Sequence, residues 1–392
     1  MKDLKLLLLI CMTAAGTAFA AAQHSQYISK VYDFVPAPGQ FVNDIPEYLE
    51  GDTKENIIAK VEENLCGDKM PGMISLGSYG GYVIFGFDHP VVNVKDEYDF
   101  KVYGNAFVAN MDSGGGSCEP GIVMVSKDTN GNGLPDDEWY ELAGSEYNKP
   151  TTKKNYKITY YKPADNKTMV PDPDNSSLID IECVKWTTNY PDEAEGYVIK
   201  NSFHTQSYWP QWIDGNELVF EGTKLANNGV NNGTDAQPYW VLYFVDWGYV
   251  DNIPNANDPG FKIDWAVDKD GKPVHLSSID FIKVYNSMNQ SCGWLGETST
   301  EVCGGEDLHP DAVDGIDSAV KNDNGFVVLE INDNNLFVRS EADGKAANIY
   351  SISGMLVQTA AISAGDNAVD ISALSNGMYL LNIDGKSVKF VK

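Results

Sequence analysis

Apolar and polar residues alternate in short runs along most of the chain, and glycine, asparagine and aspartate cut the runs apart. Segments 82–87, 98–103, 121–125, 154–161, 239–244 and 279–285 combine β-branched and aromatic residues in this way. Such side chains pack well on pleated faces, so each segment is predicted to be a strand. One stretch differs. Over 54–65, Ile57, Ile58 and Val61 recur at helical spacing, with Asp52 or Thr53 placed to cap a helix. A polar stretch at 314–325 reads as a linker. Beyond it, strands are predicted at 335–340, 347–353, 356–360, 368–371, 378–383 and 387–391, with Gly354, Gly365, Gly377 and Gly385 at turns. The expected fold is all-β. A large, jelly-roll-like β-sandwich covers 21–313, and a small Ig-like β-sandwich covers 326–392.

The length of 392 residues suits two or three domains, and 43% apolar residues suffice for a core. The formal net charge is −28, which disfavours nucleic-acid phosphates and anionic lipid as partners. Neutral ligands and divalent cations remain compatible with it.

The N-terminus carries the pattern of an export signal. Lys2 and Lys5 precede an apolar stretch at 6–12, and Ala18-Phe19-Ala20 supplies a small-x-small cleavage pattern, so cleavage is expected after Ala20. Ile10 stands where a lipoprotein signal at Cys11 needs a small residue. No later apolar run reaches 18 residues, so no transmembrane segment is expected. Of the six cysteines, loss of Cys11 leaves Cys66, Cys118, Cys183, Cys292 and Cys303. An odd number leaves at least one free thiol. Export permits disulfides, and Cys292 with Cys303 is the expected pair because it closes a short loop. The alternative is that all five are buried thiols.

The strongest local motif is 128–138. Asp128, Asn130 and Asn132 occupy positions 1, 3 and 5 of a calcium loop, and Gly133 supplies the turn at position 6. The Leu134 carbonyl and Asp136 follow as expected ligands. Trp139 replaces the usual bidentate glutamate at position 12, so Asp137 or Glu138 must substitute. Ca2+ is the expected cofactor, in a structural role, on a loop flanked by strands. Asp268-Lys269-Asp270-Gly271 resembles a fragment of the same signature, but reads as a hairpin turn.

A second candidate region is aromatic and polar. It contains His204, Tyr208, Trp209 and Trp212, with Trp294 and His309 near the end of the large domain. Indole and phenol faces suit sugar rings or other planar ligands, and Pro210 with its polar neighbours suggests a loop. The competing reading is core packing. No G-x-S-x-G, H-E-x-x-H or C-x-x-C pattern occurs. Glycoside hydrolysis needs only two well-placed acids. Glu297, Glu301, Glu306 and Asp307 could supply them, against the alternative of a solvated acidic loop.

Two resemblances bear on location. The segments 349–357 (IYSISGMLV), 369–381 (VDISALSNGMYLL) and 388–392 (VKFVK) resemble the C-terminal sorting domain of the type IX secretion system of Bacteroidota. That resemblance implies export and attachment at the outer surface. The segments 36–43 (PAPGQFVN), 75–81 (SLGSYGG), 86–90 (GFDHP), 103–107 (YGNAF), 292–301 (CGWLGETSTE) and 306–309 (EDLH) resemble cell-surface proteins of gut Bacteroidota. Some of those relatives are associated with corrinoid (vitamin B12) acquisition. Asp317-Ser318-Ala319 resembles a short O-glycosylation signal of the same phylum. The expected function is a secreted cell-surface protein that captures an extracellular glycan or small nutrient. A corrinoid-binding protein, a secreted glycan hydrolase and a surface-layer or adhesion component are the alternatives.

Overall fold

Phe281–Asn286 lies inside a six-stranded sheet, with Tyr82–Gly86 on one side and Gly121–Ser126 on the other. The computed structural model describes residues 24–234, 237–312, 326–331, 335–340, 343–351, 354–375 and 377–392. The export signal and the whole linker 314–325, Ser318 included, lie outside these residues. The central sheet has six strands in the order Lys30–Val35, Tyr82–Gly86, Phe281–Asn286, Gly121–Ser126, Trp139–Leu142 and Ala266–Val267. Every neighbouring pair is antiparallel.

Both faces of this sheet are covered. Side chains of successive strand residues point to opposite faces. Val83, Phe85, Val123, Val125, Ile282 and Val284 enter one core with Phe34, Phe100 and the helix residues Ile57, Val61 and Leu65. Ile122 and Tyr285 enter a second core. Burial on both sides explains why the central strands read as nearly continuous apolar runs rather than strict alternation.

The second core is closed by a four-stranded sheet ordered Glu195–Asn201, Leu178–Thr188, Lys153–Tyr161 and Glu217–Lys224. It contributes Tyr156, Ile158, Tyr160, Val184, Val198, Leu218 and Phe220. Two sheets sharing one apolar layer form a β-sandwich. The buried phenols are satisfied: Tyr160 Oη donates to the Tyr79 carbonyl at 3.1 Å, and Tyr79 Oη donates to the Tyr156 carbonyl at 3.3 Å. A further four-stranded sheet joins Gly229–Asn231, Trp240–Tyr243, Gly115–Ser117 and Phe107–Asn110.

The helix spans Lys54–Leu65 and Thr53 caps it. The Thr53 hydroxyl accepts from the Asn56 N–H, and the Asn56 side chain accepts from the Thr53 N–H in return. This reciprocal pair satisfies two donors that the first turn leaves open. The Asp268–Gly271 segment is a turn, with the Gly271 N–H on the Asp268 carbonyl at 2.8 Å.

In the C-terminal segment, Phe326–Ile331, Asn335–Ser340 and Gly365–Asp370 form one sheet. Lys345–Ser351, Leu356–Ile362, Met378–Ile383 and Lys386–Val391 form another. Leu336, Val338 and Val369 from the first meet Ile349, Leu381 and Phe390 from the second in a core of their own. Gly365 begins a strand here instead of sitting between strands.

Candidate functional site

The loop 127–138 connects two neighbouring strands of the central sheet, because Ser126 pairs with Trp139. Asp128 organises it. Its Oδ1 accepts the N–H groups of Gly131 (2.7 Å) and Asn132 (3.1 Å), and its Oδ2 accepts that of Gly133 (2.7 Å). Gly131 and Gly133 adopt left-handed φ of 71° and 70°, which glycine tolerates without steric cost. Asn130 and Asn132 both donate to Asp136 Oδ1, at 3.0 and 3.2 Å. These bonds hold the Asp136 carboxyl below its ordinary range. Asp128, Asn130, Asn132 and Asp136 therefore converge.

The other expected ligands have separate attachments. The Leu134 carbonyl accepts the Asp136 N–H at 2.9 Å. Asp137 accepts from the Thr129 hydroxyl, while Glu138 accepts from Tyr140 Oη at 3.0 Å. Asp137 Oδ2 is buried without a partner. An orphaned carboxylate oxygen in an all-oxygen donor set fits a hard cation such as Ca2+.

The structure divides the expected aromatic site. Tyr208, Trp209 and Trp212 are buried and offer no face to a ligand. Trp212 stacks near Phe34 and Tyr48, at centroid distances of 6.1 and 6.2 Å. His309 belongs elsewhere: its Nε2 contacts the Tyr98 carbonyl at 3.0 Å.

Trp294 meets Phe203, which opens the aromatic segment just before His204. Phe203 is 64% exposed and Trp294 is 38% exposed, with ring centroids 6.4 Å apart. His204 packs edge-on to Phe41 at 4.7 Å. The Trp240 indole fills the space beside Gly293, where a Cβ would lie 2.6 Å from Nε1.

Beneath these rings lies a buried amide pair. Asn201 Nδ2 donates to Gln40 Oε1 at 2.6 Å. Asn201 Oδ1 accepts the N–H groups of Phe203 and His204, at 3.1 and 3.0 Å. Gln40 Nε2 donates to the carbonyls of Leu295 and Glu297, at 2.8 and 2.9 Å. One amide pair thus fixes both aromatic-bearing loops. Lys200 Nζ also donates to the carbonyls of Thr205 and Gln206. Glu297 Oε1 accepts the Gln40 N–H at 2.6 Å, but Oε2 has no partner. Burial pushes the Glu297 carboxyl well above its usual range.

The four acids of the hydrolase reading enter separate networks. Glu297 faces Gln40. Glu306 accepts from Tyr103 Oη, and Asp307 Oδ2 meets His89 Nε2 at 2.8 Å. Glu301 joins Glu119 and Asp251, and carboxylate oxygens of these three lie within 4.8 Å of one another. Sequence reasoning missed Glu119 and Asp251, and neither stands in a recognisable motif. Asp251 accepts the N–H groups of Asn105 (2.7 Å) and Glu301 (2.9 Å). The Ser299 hydroxyl donates to Glu301 Oε1 at 2.6 Å, and its N–H donates to Glu119 Oε1 at 3.1 Å. Burial raises all three pKa values, and mutual repulsion raises those of Glu119 and Glu301 further. Among the described residues none of the three forms an ion pair.

Cys292 and Cys303 are not joined; both are buried free thiols. Each has its own surroundings. The Cys292 sulfur lies over Gly229, and the Cys303 N–H donates to the Tyr103 carbonyl at 2.7 Å. Burial pushes both thiols up to about 12.

Residues 324–392 match the family model of the secretion system C-terminal sorting domain. No curated protein matches the chain. The match marks the chain as secreted and attached to the outer cell surface, with the secretion machinery as a partner. Among the described residues no helix is long and apolar enough to cross a membrane.

Proposed function

We propose that this secreted, surface-attached protein captures a neutral, ring-bearing extracellular ligand, a glycan in the first instance, on the face formed by Phe203 and Trp294. The observation that carries this reading is two exposed aromatic rings 6.4 Å apart on loops tied together by the buried Gln40–Asn201 pair. Rings held in place before binding lose little freedom when a ligand arrives. Flat apolar faces suit pyranose rings, which present C–H faces. A net charge of −28 favours neutral over anionic ligands. The dispersal of Glu297, Glu301, Glu306 and Asp307 favours binding over hydrolysis.

Calcium completes the proposal as a structural ion. Asp128, Asn130, Asn132, the Leu134 carbonyl, Asp136 and Asp137 would hold it, with Glu138 as the alternate carboxylate. The ion would neutralise clustered carboxylates and order the loop between two central strands.

The test is calorimetric titration of the secreted chain with a panel of neutral glycans and with cobalamin. Saturable glycan binding without product release is expected. Stacking of this kind contributes about 0.5–1.5 kcal/mol, so Trp294→Ala should weaken binding by up to roughly tenfold. Cobalamin binding lost in the same variant would shift the ligand class to corrinoids. No binding to either class, or equal binding by Trp294→Ala, would sink the reading.

A further inference from the structure

The first described residues of the chain lie against the 87–89 loop and the strand Gly304–Asp307. Tyr27 bridges to Glu306, and the Asp307 N–H donates to the Gln26 carbonyl at 2.8 Å. The Ser25 N–H donates to Asp88 Oδ2 at 3.1 Å. This arrangement brings His24 beside Asp88 and His89. The two imidazole rings have centroids 4.5 Å apart. One donor atom from each of His24, Asp88 and His89 lies within 4.8 Å of the other two.

We propose that His24, Asp88 and His89 form a binding site for a zinc-class divalent metal ion, with Asp307 as the partner that orients His89. The donor set is two imidazoles and one carboxylate, which suits Zn2+ and its neighbours rather than the oxygen-seeking Ca2+ or Mg2+. Tetrahedral zinc with bonds of about 2.0–2.2 Å places its ligands about 3.3–3.5 Å apart. His24 Nδ1 and Asp88 Oδ1 already stand 3.5 Å apart. His89 Nδ1 and Asp88 Oδ1 are 2.6 Å apart and share a proton, which a metal ion would displace to solvent.

His89 Nε2 meets Asp307 Oδ2 at 2.8 Å, and both side chains are almost fully buried, at 6% and 1% exposure. A carboxylate behind the second ring nitrogen is the arrangement that fixes the tautomer and orientation of a metal-ligating histidine. Water would fill the fourth position, because His24 and Asp88 are open to solvent, at 43% and 42% exposure. The bound ion would clip the N-terminal segment onto the 87–89 loop and the strand Gly304–Asp307.

The experiment uses the full secreted chain, freed of metal and then supplied with excess Ca2+ to occupy oxygen-only sites. Zn2+ is titrated by calorimetry, and Co2+ is followed by the visible absorption of a tetrahedral complex. One equivalent is expected for the wild-type chain. His24→Ala and Asp88→Asn change exposed side chains and should weaken Zn2+ binding by roughly tenfold or more, since loss of even an outer partner costs that much. His275→Ala, at an exposed histidine remote in sequence from the three, should leave binding unchanged. A wild-type chain that takes up no Zn2+, or His24→Ala and Asp88→Asn chains that both bind as tightly as wild type, would overturn the proposal.

Discussion

Glu119, Asp251 and Glu301 are acids held in the interior by backbone and hydroxyl donors rather than by cations. Gly104 is part of the arrangement, because a Cβ there would lie 2.5 Å from Asp251 Oδ1. Their raised pKa values link protons to stability. Well below the ordinary carboxylate range of about 4, these carboxyls are protonated in both the folded and the unfolded chain, and they add no pH dependence. As pH rises from there towards the raised folded-state values, the unfolded chain releases protons that the folded chain keeps. Stability therefore falls with rising pH over that window. Each unit of pKa difference corresponds to about 1.4 kcal/mol. Glu301→Gln should thus flatten the loss of stability between pH 5 and pH 8 by on the order of 1–3 kcal/mol, as read by urea denaturation at the two pH values. A variant with the same pH slope as wild type would remove Glu301 from this linkage. Only Glu301 was legible as an interesting acid in the sequence, and then for a different reason, as one of four candidate acids for glycoside hydrolysis.

The hairpin 121–142 is the element on which motif and structure agree most closely. Period-two alternation places Val123 and Val125 in one core and Ile122 in the other, while the polar connection between the strands gathers Asp128, Asn130, Asn132 and Asp136. The hairpin was readable because both signals are local: a strand period, and polar residues at fixed offsets around a glycine. If calcium binds here, it adds stability through mass action, about 2.7 kcal/mol at a hundredfold excess over Kd. The melting temperature should rise by several degrees with calcium, fall back with chelator, and stop responding in Asp128→Ala. The aromatic segment was less readable. Residues 203–212 look uniform in sequence, yet Phe203 is exposed while Tyr208 and Trp209 are 1% and 2% exposed. An aromatic ring suits a core as well as a binding face, and what distinguishes the two is the sheet that packs against it. The Cys292–Cys303 pairing failed similarly, since closeness along the chain does not aim two thiols at each other.

At the scale of the whole molecule, the C-terminal sheets form their own core and carry the sorting-domain match over residues 324–392. A chain lacking 324–392 should be made and folded but should no longer reach the outer surface, as measured by protease accessibility on intact cells. Surface exposure of the truncated chain would separate export from this domain. Its recognition succeeded because the signature is carried by consecutive residues. The strands singled out at 82–87, 121–125, 154–161 and 279–285 and the capped helix were legible in the sequence itself, since each depends on steric and hydrogen-bonding preferences acting within a few residues. The tertiary structure alone decided which distant residues meet. Antiparallel pairing sets Tyr82–Gly86 beside Phe281–Asn286, and the same long-range order brings Gln40 to Asn201 and Glu297, Glu119 to Asp251 and Glu301, and His24 to Asp88 and His89. No local preference specifies such encounters. They follow from which sheet faces bury each other, a property of the assembled cores rather than of any segment.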